Sequence, residues 1–210
     1  MKNTAFIISC KESNHIYNCV ESIHKFYPDS TVYIVDSCSN DKSYFSLCSE
    51  KIVIEDICNK NYECGAYVST FKKYGHLHDA FVFMQDSIKL NSTIKELDTI
   101  NNSEVFTFTS ENCGWSNDPE ARDVFYQLNE NFPDRHLMHF DITIWNSFII
   151  TSETFNKVLA SAIFNLAPLP DKKSLSRAWE RVWSIIFKYN NILIKSIDNN
   201  QITKTWGART

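Results

Sequence analysis

The sequence predicts an α/β fold: a mostly parallel sheet flanked by helices on both faces, in three layers. Three observations predict it. Through the first half, short apolar runs alternate with stretches that repeat apolar residues at helical spacing, the pattern of parallel strands joined by crossover helices. Residues 80–84, Ala-Phe-Val-Phe-Met, are apolar without a break, which reads as a strand buried on both faces. Three of these runs stop at polar residues, at 9–12, 36–41 and 85–87. In a parallel sheet those ends share one edge, and open α/β sheets bind ligands there.

The elements follow in order. Residues 6–10 form the first strand, and Asn14 caps a helix whose Ile16, Cys19, Val20, Ile23 and Phe26 share one face. Residues 27–30 end that helix, 31–35 form the second strand, 36–41 a polar loop, 42–49 a short helix and 51–55 the third strand. A polar turn at 59–63 precedes a helix over 66–74. After the strand at 80–84 come a short helix around 93–97 and a strand at 105–109. Asn117 or Asp118 caps a helix that opens on Pro119 and runs to about 131. Residues 141–151, β-branched and aromatic, read as a strand, and 152–164 as a helix capped by Ser152. Residues 165–171 hold two prolines and form a loop; 175–189 is an amphipathic helix, 191–195 a last strand, and 204–209 a tail. At 210 residues the chain reads as one domain, or as one domain of a longer protein.

Composition narrows the function. A net charge of −4 gives no footprint for nucleic acid, and no apolar stretch is long enough to span a bilayer. The N-terminus lacks the pattern of a signal peptide, so a cytoplasmic location is expected. The seven cysteines contain no C-x-x-C, which argues against a zinc site and for reduced thiols. The four glycines, Gly65, Gly75, Gly114 and Gly207, are far apart, so no phosphate-cradling loop exists. A diphosphate bound here needs another countercharge, and a divalent metal on a carboxylate is the obvious one. Asp86, at the end of the buried strand, is the first candidate for it.

Several pieces together resemble a GT-A glycosyltransferase. They are a strand ending Ile-Ile-Ser-Cys, a helix, then Val-Tyr-Ile-Val-Asp-Ser-Cys-Ser-Asn-Asp, and later Phe-Val-Phe-Met-Gln-Asp-Ser. The second is similar to the family's V-D-[DN]-x-S-x-D segment, and the third stands in the place of its D-x-D metal motif. Residues 61–67, Asn-Tyr-Glu-Cys-Gly-Ala-Tyr, resemble a donor-contacting turn of some polysaccharide-building members. Compact transferase domains of large DNA viruses such as chloroviruses are similar. Two positions depart from the pattern: Gln85 replaces the first acid of D-x-D, and Glu63 replaces an Asp of the turn.

The resemblance implies a metal-assisted transferase that moves a sugar from a nucleotide-sugar donor, UDP-sugar by family habit, to a glycan acceptor with inversion. Residues 1–90 would bind the donor, and 105–210 the acceptor. Ser9, Asp36, Ser37, Glu63, Gly65 and Gln85 would contact the nucleotide or donor, with Lys204 and Arg209 closing over the phosphates. Asp86, with Ser87 and His139, would hold Mn2+ or Mg2+, which stabilises charge on the leaving diphosphate. Glu180 is similar to the acid of a late Glu-Arg-x-Trp segment and would serve as base, with Asp141 as a second candidate. The competing use of Glu180 is an exposed position on an amphipathic helix. Trp115, Trp145 and Trp206 could stack on sugars or pack in the core. A non-catalytic nucleotide- or glycan-binding module is the main alternative, favoured by Gln85. A sugar nucleotidyltransferase lacks its glycine-rich loop here, and a receiver domain lacks its acidic pair.

Overall fold

The computed structural model describes residues 2–11, 15–108, 119–131 and 143–205. Strand β1 (Thr4–Cys10) leads to helix α1 (Ile16–Phe26) and β2 (Thr31–Asp36). A 3-10 turn (Ser43–Leu47) precedes β3 (Ile52–Asp56) and α2 (Tyr62–Tyr74). Then come β4 (Ala80–Gln85), the short β5 (Ile88–Leu90), α3 (Glu96–Thr99), β6 (Glu104–Thr107) and α4 (Pro119–Asn131). The remainder comprises β7 (Phe148–Thr151), α5 (Ser152–Ala160), α6 (Ala162–Leu166), α7 (Lys173–Tyr189), β8 (Leu193–Ser196) and β9 (Ile202–Lys204).

Seven strands form one sheet in the order β3-β2-β1-β4-β7-β6-β8. Strands β1 to β4 are parallel, β7 runs antiparallel to both neighbours, and β6 and β8 are parallel. Side chains alternate across the pleat. Ala5, Ile7, Phe81 and Phe83 therefore face one core with Tyr67, Phe71, Phe155, Trp179 and Trp183 of the helices. Phe6, Ile8, Val82 and Met84 face the other, with Ile16, Val20 and Ile23 of α1. Both faces of β4 are buried, as the unbroken apolar run requires. The expected three-layer α/β fold is present.

Several boundaries differ, for local reasons. Helix α2 begins at Tyr62, so Glu63 lies in its first turn and not in a loop. Among the described residues of the strand expected over 141–151, only β7 is extended, because Trp145 and Asn146 adopt left-handed backbone, with φ of 61° and 51°, in a tight turn before it. The helix after β7 is capped by Thr151, whose hydroxyl accepts from the Thr154 N–H, and it breaks at Ser161. Strands β5 and β9 pair with each other and are too short to show a period in the sequence. The expected caps Asn14, Asn117 and Asp118 lie outside the described residues.

One expectation is overturned. Cys38 and Cys58 form a disulfide, with Cα atoms 4.4 Å apart. The cause is strand register: Asp36 pairs with Asp56, and each cysteine follows its strand end by two residues. Sequence spacing could not show this, because the contact is created by a parallel crossover. Cys19, Cys48 and Cys64 are thiols, and Cys113 lies outside the described residues. Structural disulfides belong to oxidising compartments more than to the cytosol, so the expectation of reduced thiols fails for this pair. Among the described residues no helix is long and apolar enough to cross a membrane.

Candidate functional site

The parallel register brings four strand ends to one edge. Cys10 lies beside Asp36, Asp36 beside Asp56, and Ser9 beside Gln85. The chain runs outward from β1 through β2 to β3, then returns to lay β4 on the other side of β1. The order reverses at the β1–β4 seam, which is where such sheets bind ligands. Across that seam the Asp86 N–H donates to the Ser9 carbonyl at 3.3 Å.

Four distant segments meet at this seam. Glu63 of α2 is buried; its Oε1 accepts from Gln85 Nε2 and its Oε2 from Ser176 Oγ of α7, each at 2.8 Å. Gln85 Oε1 in turn accepts from Lys204 Nζ, which also donates to Ser87 Oγ. The ammonium lies 5.5 Å from the centre of the Trp145 ring. Lys204 reaches this place because β9 pairs with β5, setting Lys204 opposite Ile88. The Thr205 N–H then closes onto the Ser87 carbonyl at 2.9 Å. The Gln85 amide is thus a two-sided link, donating to a carboxylate and accepting from an ammonium.

Asp86 is only 5% exposed, yet its carboxylate accepts no hydrogen bond from the described residues.

Glu180 projects from the middle of α7 and is half-buried. Its Oε1 accepts from the Trp145 backbone N–H at 3.0 Å, and its carbonyl accepts from the Thr143 N–H at 2.8 Å. The left-handed backbone of Trp145 and Asn146 is part of the turn that presents this N–H. Asn146 secures the turn by donating through Nδ2 to the Ser176 carbonyl at 3.1 Å. Such backbone in non-glycine residues clusters at functional sites. Burial above all pushes the Glu180 carboxyl up to about 7 against the pull of the Trp145 N–H and the Arg181 charge; Glu63 raises it further, and Lys204 lowers it. A carboxyl poised near neutrality suits proton transfer.

Three other expected residues, Asp36, Ser37 and Gly65, make contacts in or beside their own loops. Asp36 is fully buried and turned into its own loop, accepting from the Ser39 N–H at 3.1 Å and from the Tyr44 hydroxyl. Burial opposes its ionisation, but the Ser39 and Tyr44 hydrogen bonds and the Lys42 charge outweigh this and hold the carboxyl below its ordinary value. Ser37 donates through its N–H to the Cys10 carbonyl at 3.0 Å and accepts from Asn59 Nδ2 at 3.3 Å. Gly65 packs against that turn: a Cβ there would lie 2.2 Å from Asn59 Oδ1 and 2.5 Å from Asn61 Cβ. Its place is explained by close packing.

The structure therefore links Glu63, Gln85, Ser87 and Lys204 directly, with Asp86 and Ser9 on the adjoining seam and Glu180 joined through Trp145. It leaves Asp36, Ser37 and Gly65 outside that network. His139, Asp141 and Arg209, like Trp115 and Trp206, lie outside the described residues. Ser176 was missed, although it stands four residues before Glu180 and so on the same helix face. The described residues do not assemble a site for Mn2+ or Mg2+. Asp86 is one open carboxylate, the oxygens of Gln85 and Ser87 already accept from Lys204, and no group of three His, Cys, Asp or Glu suited to a metal exists among them.

No family model and no curated protein matches the chain. Solved structures do. GalNAc-T7, in a crystal structure with UDP, GalNAc and Mn2+, superposes with a TM-score of 0.57 at 9% identity, over 86% of this chain and 40% of that one. The fold is of the GT-A glycosyltransferase type. The chain thus spans well under half the length of that neighbour, and the likeness concerns fold alone. It adds nothing to the resemblance to chlorovirus domains.

Proposed function

We propose that the chain is a glycosyltransferase that moves a sugar from a nucleotide-sugar donor, a UDP-sugar foremost, to a hydroxyl of a glycan or other acceptor with inversion. The observation that carries this is Glu180: a carboxyl raised to about 7, tied through Trp145 to the ligand-binding seam of a GT-A-type fold. UDP comes first because the structural neighbour was crystallised with it. Residues 1–90 bind the donor and 105–210 the acceptor, as parts of one domain.

Glu180 takes the proton of the acceptor hydroxyl as that oxygen attacks the anomeric carbon. The bond from this carbon to the diphosphate breaks, and its electron pair stays on the phosphate oxygen. Asp86, whose carboxylate accepts no hydrogen bond from the described residues, faces the donor. The turn at Trp145 fixes the Glu180 carboxylate through the N–H it donates. No step is assigned to Mn2+ or Mg2+, because the described donor set falls short of a site.

Incubation with a panel of UDP-sugars and measurement of UDP release tests this. The expected outcome is slow hydrolysis of one donor, lost in Glu180→Gln while UDP binding persists. The binding-module alternative, favoured by Gln85, predicts UDP binding without turnover of any donor. Absence of nucleotide-sugar binding would sink the proposal.

A further inference from the structure

We propose that Glu63 is a positioning residue for Glu180: its carboxylate ties α7 to the end of β4 and so fixes where Glu180 stands against the seam. This rests on the transferase reading above. The tie joins three elements. Glu63, buried in the first turn of α2, accepts from Gln85 Nε2 at the end of β4 and from Ser176 Oγ of α7, each at 2.8 Å. Ser176 stands one turn before Glu180, and its carbonyl is the one to which the helical N–H of Glu180 points. The same carbonyl accepts from Asn146 Nδ2 at 3.1 Å, next to the Trp145 N–H that holds Glu180 Oε1 at 3.0 Å. Glu180 is therefore held twice: its carboxylate by the turn at Trp145, and the helical turn that carries it by Glu63.

Each oxygen of Glu63 accepts from a protein donor, which is a different task from contacting a nucleotide sugar. Hydrogen bonds to a carboxylate are stronger than those to a neutral acceptor, so the tie is a firm one. Firmness matters here, because a base displaced by an ångström loses much of its effect. The tie also carries charge. Among the described residues, the charges that act on Glu180 are Arg181 on its own helix and Lys204 of β9, which favour its ionised form, and Glu63 of α2, the like charge, which opposes it; burial remains the largest cause. Glu63 thus does two things for the base. It orients the helix that carries it, and it strengthens its hold on the proton taken from the acceptor hydroxyl.

The pH profile of UDP-sugar turnover, with calorimetric titration of UDP, tests this in Glu63→Gln, Glu63→Ala and Ser176→Ala. Glutamine at position 63 still accepts from Gln85 and can donate to the Ser176 hydroxyl, so Glu63→Gln keeps the tie and drops the charge. Its acidic limb should move to lower pH by roughly half a unit, the effect of one screened like charge. Glu63→Ala cuts the tie and should lower kcat by about ten- to a hundredfold with UDP affinity unchanged. Ser176→Ala cuts the tie from the α7 side and keeps the charge, so kcat should fall while the limb stays at the wild-type pH. A limb unmoved in Glu63→Gln, or an unchanged kcat in Glu63→Ala, overturns the inference and leaves Glu180 standing as the base. Lost UDP affinity in Glu63→Gln also overturns it, because Glu63 would then be a donor contact. A wild type that turns over no UDP-sugar overturns the transferase reading and this inference together. Should Glu63→Ala fail to fold, the other two variants decide: full kcat in Ser176→Ala or an unmoved limb in Glu63→Gln refutes the proposal.

Discussion

Glu180→Gln should stabilise the protein, by an amount that depends on pH. The Glu180 carboxyl ionises at an ordinary value of 4.5 when unfolded and at about 7 in the native fold, chiefly because it is buried. Between these values the native state holds a proton that the unfolded state has lost, so stability falls as pH rises from 4.5 through 7. The full separation, at about 1.4 kcal/mol for each pH unit, amounts to roughly 3 kcal/mol at pH 8 and under about 1 kcal/mol at pH 5. Glutamine keeps an oxygen to accept the Trp145 N–H and carries no charge, so it avoids this penalty at every pH. Urea denaturation of both proteins at pH 5 and pH 8 measures the difference. The variant should be more stable at pH 8 by about 2–3 kcal/mol, with the advantage nearly gone at pH 5. An advantage equal at the two pH values, or a loss of stability at pH 8, would refute the assignment of a raised carboxyl.

Three further outcomes follow from the same geometry. Asp86→Asn should leave the melting temperature unchanged or raised, since the carboxylate has no described hydrogen-bond partner to lose, while donor binding falls; a clear drop in melting temperature would mark Asp86 as structural. Peptide mapping without reductant should recover Cys38 linked to Cys58, and replacing both with serine should destabilise by about 3 kcal/mol for a link spanning 20 residues. Gly65→Ala should destabilise by about 1–3 kcal/mol despite alanine's better helix propensity, because the new Cβ meets Asn59 Oδ1 at 2.2 Å; equilibrium unfolding decides.

The first half of the sheet was legible because β1, β2 and β4 are buried on both faces, and their apolar runs stop where the ligand edge begins. Asp86 and Glu180 were visible as candidates for related reasons, one as a carboxylate at a strand end and the other through its resemblance to a family segment. What joins them was not. Glu63 meets Gln85 and Ser176 across 22 and 113 positions, and Lys204 meets Gln85 across 119, so only the folded chain sets these contacts. The pairing of Cys38 with Cys58 has the same origin in strand register. Asp36 shows the converse: its place at a strand end was readable, but its hydrogen bonding to Ser39 and Tyr44 depends on the loop's path. The stop at Trp145 that shortens β7 depends on left-handed backbone in residues whose types do not announce it.

The pH profile of UDP-sugar turnover by the wild type, set beside Glu180→Gln, examines the proposed chemistry at its source. Turnover of the active donor should rise through an acidic limb centred near 7, where Glu180 loses its proton, and Glu180→Gln should abolish turnover while UDP still binds. Turnover that persists in Glu180→Gln with the same limb would place the base elsewhere and remove Glu180 from the mechanism.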